Sequence, residues 1–180
     1  MRLPTTIERL YLDFDGFFAS VEQQADKKLR GRPIGVVPFT NTNRTCVIAC
    51  SREAKALGVL NVMSVDEAIN CCPAIILVPQ KPDLFRRAHN AQLGEIETIL
   101  PIDSVKSIDE LTCKLDSRGM ADPHGLAADI KRNLGESIGP QTTNSIALLS
   151  SRCSNFITSP IPGSSVVSTR SCNDVPTAMW

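Results

Sequence analysis

The chain has 180 residues, 42% of them apolar and 21% charged, the proportions of an ordinary soluble globular protein of one domain or a little more. Nineteen basic and nineteen acidic residues cancel to a formal charge of zero, which weighs mildly against a nucleic-acid partner. No run of eighteen apolar residues is present, so no membrane span is expected. The opening Met1–Glu8 carries Arg2, Pro4 and Glu8 and no apolar core, so no secretory signal is expected and the expected location is the cytoplasm.

Residues 9–14, Arg-Leu-Tyr-Leu-Asp-Phe, read as a short strand. The spacing of Phe17, Val21, Ala25 and Leu29 predicts a helix over 16–29. Gly31 and Pro33 punctuate the chain. Pro33–Val37 and Cys46–Cys50 read as two strands joined by the polar loop Thr40-Asn41-Thr42-Asn43. Ser51 is placed to cap a helix that ends at Gly58. Ser64-Val65-Asp66-Glu67 has the form of a capping box opening a helix to Cys72. Ile75–Val78 is a strand between two prolines. The longest helix is expected over 83–99, with Leu84, Ala88, Ala91, Ile96 and Leu100 near one face. Strand-like runs at 104–108 and 111–115 flank Asp109-Glu110 and suggest a hairpin. Asp-Glu is a poor turn pair, and function can override propensity at such a tip. A last helix is expected over 123–138, and with 83–99 it is expected to bury Leu84, Ile96, Leu126 and Ile130.

Seven cysteines occur without a CxxC pair. Cys46 and Cys50 have apolar neighbours and no nearby histidine. Reduced thiols acting as small apolar groups are the better reading than zinc.

Asp13 ends the first strand, and Asp109 and Glu110 sit at the expected hairpin tip. Acidic residues at turns are more often solvated than catalytic. If the two strands are neighbours, however, three carboxylates converge. Two like charges about 4 Å apart repel by roughly 4 kcal/mol at an effective dielectric near 20. A divalent cation removes that cost, and Mg²⁺ suits one or two carboxylates plus phosphate oxygens.

The run Tyr11-Leu12-Asp13-Phe14-Asp15-Gly16-Phe17-Phe18-Ala19-Ser20-Val21-Glu22 resembles the opening motif of Y-family (UmuC/DinB-type) translesion DNA polymerases. Ser107-Ile108-Asp109-Glu110-Leu111 resembles their second catalytic motif, and Val47 to Val59 occupies the place of their nucleotide-binding fingers motif. The resemblance covers about residues 8–140. It implies an α/β (α+β) fold: a polymerase palm at 1–18 and 76–140, its sheet covered by helices on one face, interrupted by fingers at 19–75. It implies that Asp13, Asp109 and Glu110 hold two Mg²⁺ ions, joined by the backbone carbonyl of Phe14. Phe18 matches the aromatic gate beneath the sugar, with Phe17 beside it at the nucleotide. Arg52 stands where the family has tyrosine and Lys55 where it has arginine, so both phosphate contacts would be cationic. Lysine acts as a point charge without the bidentate fork. The implied partners are a damaged primer-template and deoxynucleoside triphosphates, with a sliding clamp or recombinase, and no membrane.

After about residue 140 the composition changes. Residues 141–180 hold nine of the sixteen serines, no lysine and three charged residues. Ser145–Leu149 is one strand-like run there, and 150–180 reads as loop or disorder. The low-charge tail has the look of a shifted reading frame, and the family's later motifs are not recognisable in it. Three readings follow. The first is an active translesion polymerase. The second is a truncated, non-catalytic repair fragment or accessory factor of the same fold. The third is a two-metal phosphohydrolase or cyclase on a palm-like sheet.

Overall fold

The computed structural model describes residues 7–137 and 144–150. In chain order its elements are β1 (Ile7–Phe14), α1 (Phe17–Ala25), a 3-10 turn (Lys27–Leu29), β2 (Ile34–Val37), β3 (Ala49–Cys50), α2 (Arg52–Ala56), α3 (Val65–Cys71), β4 (Ile76–Pro79), α4 (Pro82–Glu97), β5 (Ile102–Val105), β6 (Glu110–Lys114), α5 (Ser117–Ala121), α6 (Pro123–Ser137) and β7 (Asn144–Ser150). The fold is α/β. The described chain divides into two compact units, one of residues 7–13, 93–133 and 144–150, the other of residues 14–92 and 134–137. The strand-like run at 145–149 falls within β7, and the tail at 151–180 lies outside the described residues.

The first unit is built on a four-stranded sheet in the order β5-β6-β1-β7. β1 and β6 run antiparallel, with Leu10 opposite Cys113, Leu12 opposite Leu111 and Asp13 opposite Glu110. Side chains alternate between the faces of a strand. Leu10, Leu12, Leu111 and Cys113 are therefore on one face, and all four are fully buried. Ile96, Leu100, Ala127 and Ile130 are buried too, at 3% exposure or less. The other face carries Arg9, Tyr11 and Asp13 opposite Lys114, Thr112 and Glu110. Polarity along the first strand thus sets both its core face and its chemical face.

The second unit has a three-stranded sheet, β3-β2-β4, in which β2 is antiparallel to β3 and parallel to β4. Every residue of β2 is buried, as its continuous apolar run requires. Val37, Val47, Cys50, Ala54, Val59, Val65 and Ala68 form the core, with Met63 and Leu77 packed against it. Ser51 works three ways. Its hydroxyl caps α2 through Ala54 N–H, accepts from Ile34 N–H and donates to the Arg32 carbonyl. The capping box on α3 is present, with Ser64 and Glu67 bonded reciprocally. Gln23, buried, places its amide nitrogen near the carbonyls of Leu29 and Arg32 and the Glu53 carboxylate.

Several boundaries differ from expectation for local reasons. The helix expected over 16–29 stops at Ala25, because the Asp26 side chain accepts from Lys28 N–H and starts a 3-10 turn instead. The strand expected over Cys46–Cys50 keeps only Ala49–Cys50. Val47 is bonded to Val62 and Met63, and Cys46 makes a lone bridge to Ser64. The hairpin link is Lys106–Asp109, not Asp109-Glu110, since Lys106 and Ser107 N–H both donate to the Glu110 carbonyl. On α4 the buried residues are Phe85, Gln92 and Ile96; Ala91 is exposed and Leu84 only half-buried, as is Leu126 on α6. Of the described cysteines, all free, Cys50, Cys72 and Cys113 are buried, while Cys46 is half-buried and Cys71 exposed. Burial, then the charge of Asp103, pushes the Cys113 thiol up to about 12, as befits an apolar filler.

Val62 is strained. It is β-branched, has φ of 67° and is 78% exposed. Its N–H donates to the Val47 carbonyl, and that bond ties the turn to the buried Val47. An L-residue in this region costs about 1–2 kcal/mol, whereas glycine costs roughly 0.5–1 kcal/mol in unfolded-chain entropy. Val62→Gly is therefore expected to raise stability by about 1 kcal/mol, a few degrees in thermal midpoint. A midpoint that falls on thermal denaturation would refute the strain assignment.

Candidate metal and nucleotide-binding residues

Asp13 is the last residue of β1 in its register with β6, and Glu110 is directly opposite it. Asp109 precedes Glu110 at the end of the hairpin link. All three are half-buried. Directly opposed residues in an antiparallel pair have Cβ atoms about 4.5–5.5 Å apart, and like charges there are destabilising. The sheet register thus imposes the convergence of Asp13 and Glu110 that the sequence left conditional.

Tyr11 senses the same cluster. Burial, a hydrogen bond to Glu110, and the charges of Glu110, Asp13 and Asp109 together push its phenol above the ordinary value of 10.0. A neutral phenol donating to a carboxylate is the favoured state beside concentrated negative charge.

The donor set is all hard oxygen, as a small divalent cation requires. The side chains are not fully gathered. Among the described residues no three acidic, cysteine or histidine groups are arranged to hold a metal ion. In the link, the Ser107 hydroxyl donates to Asp109 Oδ1 at 2.5 Å and accepts from Asp109 N–H at 3.3 Å. The residues therefore fit a divalent cation in donor type and strand placement, with Asp109 restrained by its neighbour.

The remaining candidates belong to the second unit. Gly16, the residue before α1, has φ of 64°, and a Cβ there would stand 3.2 Å from the Cys50 carbonyl oxygen. Both facts favour glycine. Phe14 and Phe17 are buried at 2% and 3% exposure, and Phe18 is half-buried. Successive helical residues diverge by about 100°, which separates the two rings of α1. Phe18 packs on Phe85 at 4.7 Å between centroids and meets Phe17 edge-on at 5.6 Å.

Arg52 and Lys55 both lie on α2. Arg52 is exposed. Lys55 Nζ is paired with Asp15 Oδ1 at 2.5 Å. A small crevice brings together Asp15, Gly16, Ser20, Gln23, Cys50, Arg52 and Lys55, so both predicted cations reach one concave surface. A larger cleft of about 240 Å³ is lined by Phe14, Phe17, Leu84, Ala88 and Gln92 among others, without either cation.

Two contributors went unassigned from sequence. Tyr11 could have been found from strand alternation, which puts it on the face of Asp13. Asp15 gave no signal as the partner of Lys55, because forty positions separate them.

The chain matches the model of the impB/mucB/samB family over residues 12–150. It is 33% identical to a DNA polymerase IV of Moorella thermoacetica over 174 residues, 95% of this chain and 43% of that protein. A DNA polymerase IV of Stenotrophomonas maltophilia is 36% identical over 134 residues, 74% of this chain and 36% of that one. Among solved structures, a post-insertion binary complex of Dbh DNA polymerase superposes with a TM-score of 0.68 at 26% identity, covering 78% of this chain and 41% of that one. DinB from Sulfolobus solfataricus superposes with a TM-score of 0.67 at 25% identity, covering 78% and 41%. The chain spans less than half the length of these relatives.

Proposed function

The chain belongs to the impB/mucB/samB family, the Y-family DNA polymerases of the DinB type, and from that premise we propose that it contributes the catalytic part of a translesion DNA polymerase. The observation that carries the reading is the opposition of Asp13 and Glu110 across β1 and β6, beside Asp109. Those three side chains, with the Phe14 carbonyl, would hold two Mg²⁺ ions, which would supply charge neutralisation at the phosphates and a more acidic 3′-hydroxyl. Phe18 offers its ring to the sugar and disfavours a 2′-hydroxyl, with Phe17 anchoring the helix behind it. Arg52 and Lys55 bind the triphosphate, and for Lys55 the phosphate competes with Asp15. The palm at 1–18 and 76–140, the fingers at 19–75, a damaged primer-template, a sliding clamp or recombinase, and a cytoplasmic location belong to the same proposal.

The hold of Ser107 on Asp109 and of Asp15 on Lys55 favours a second reading, a non-catalytic repair factor of the same fold. Primer extension by the purified chain with Mg²⁺ and four deoxynucleotides separates the two. Weak, template-directed extension that vanishes in Asp109→Ala/Glu110→Ala is expected. A folded chain that binds Mg²⁺ and extends nothing supports the second reading. Nucleotide turnover without template would overturn both in favour of a phosphohydrolase.

A further inference from the structure

Tyr11 is the chain's single tyrosine, and the nucleotidyl-transfer proposal gives it no task. It stands two residues before Asp13 on β1, so both side chains leave the same face. Thr112 is directly opposite Tyr11, which makes Glu110 its diagonal neighbour. That diagonal is within reach of an aromatic side chain. Tyr11 is half-buried, and its phenol shares a hydrogen bond with Glu110. A carboxylate has no proton to give, so the phenol donates. Thr112 is itself fixed, buried at 4% exposure with its hydroxyl 2.9 Å from that of Ser104.

We propose that Tyr11 is a positioning residue that holds one oxygen of Glu110 and so leaves the other free to join Asp13 in binding a divalent cation. The inference rests on the metal reading of Asp13 and Glu110. The Glu110 carboxylate turns about three side-chain bonds before its oxygens are placed. One hydrogen bond from a ring with only two rotatable bonds removes much of that freedom. Groups of this kind behind a metal ligand are worth about 10–100-fold in metal affinity. A purely packing role for the ring predicts something else: loss of stability without any coupling to Glu110.

The test uses Mn²⁺ as the probe, with the full chain and the variants Tyr11→Phe, Glu110→Gln and the two combined. Calorimetry is expected to show about 10-fold weaker Mn²⁺ binding in Tyr11→Phe at an unchanged thermal midpoint. The combined variant is expected to bind no more weakly than Glu110→Gln, since the two residues act as one. The lone tyrosine supplies a second readout. Its near-ultraviolet absorbance is expected to change when Mn²⁺ is added to the native chain and to stay constant in Glu110→Gln. That readout retains Tyr11, and no tyrosine change in the native chain at Mn²⁺ saturation would overturn the inference even where the phenylalanine variant loses its fold. Native affinity in Tyr11→Phe, additive effects in the combined variant, or an Mn²⁺-dependent tyrosine change in Glu110→Gln would each overturn the inference. Native affinity in Glu110→Gln would sink the metal reading itself, and the inference with it.

Discussion

Asp13→Asn is expected to weaken divalent-ion binding on the order of 100-fold, about 3 kcal/mol, while making the metal-free protein more stable. The two effects have one cause. Asp13 and Glu110 are fixed opposite each other by the strand register, and without a cation they repel. Like-charge pairs at directly opposed positions cost up to about 1 kcal/mol, so neutralising one should return an amount of that order. The asparagine keeps the shape and one oxygen but lacks the charge that a hard cation requires. Calorimetry with Mn²⁺ measures the first effect and chemical denaturation in EDTA the second. A destabilised metal-free variant with native affinity would mean that Asp13 serves the fold and not an ion.

Lys81→Met is expected to destabilise the second unit by about 2–3 kcal/mol. Glu22 on α1 is fully buried, and its Oε2 is paired with Lys81 Nζ at 2.6 Å. Its Oε1 has no hydrogen-bond partner among the described residues. The lysine is therefore the main compensation for a charge taken out of water. Breaking a buried pair from one side usually costs about 3–5 kcal/mol. The lower figure applies because the Lys81 side chain is 52% exposed and water screens its half of the pair. The compensating double replacement, Glu22→Met/Lys81→Met, is expected to recover most of the loss, since apolar groups of similar volume fill such sites at little cost. Thermal denaturation of the two variants checks the pair. Equal losses in both would show that the glutamate's packing matters and its charge does not.

Most of the element pattern was legible because apolar periodicity and capping chemistry are local. Ser51 and Ser64 announced α2 and α3 through residues three positions away, and both caps form as read. What escaped was set by partners distant in sequence. Val47 reads as strand, but its hydrogen bonds go to the turn at Val62 and Met63, which shortens β3. α5 has no apolar period; it starts where Asp116 accepts from Gly119 N–H. The exposed Ala91 shows the limit of a helical stripe drawn without knowing its neighbour. The acidic cluster was legible as residues and as a resemblance. That Glu110 opens a strand while Asp109 stays in the link under Ser107 needed the hydrogen bonds of the turn.

The opposition of Asp13 and Glu110 also has a kinetic side. The partners are 97 positions apart (110 − 13), whereas β5 and β6 are joined through four residues. Closing the long loop costs about 3 kcal/mol more in chain entropy than closing the hairpin. Local pieces therefore form first, and the long-range pairing of β1 with β6 comes late. Contacts made late in folding act mainly on the unfolding rate. A cation bound between those strands would accordingly prolong the life of the folded chain and leave its rate of formation almost untouched.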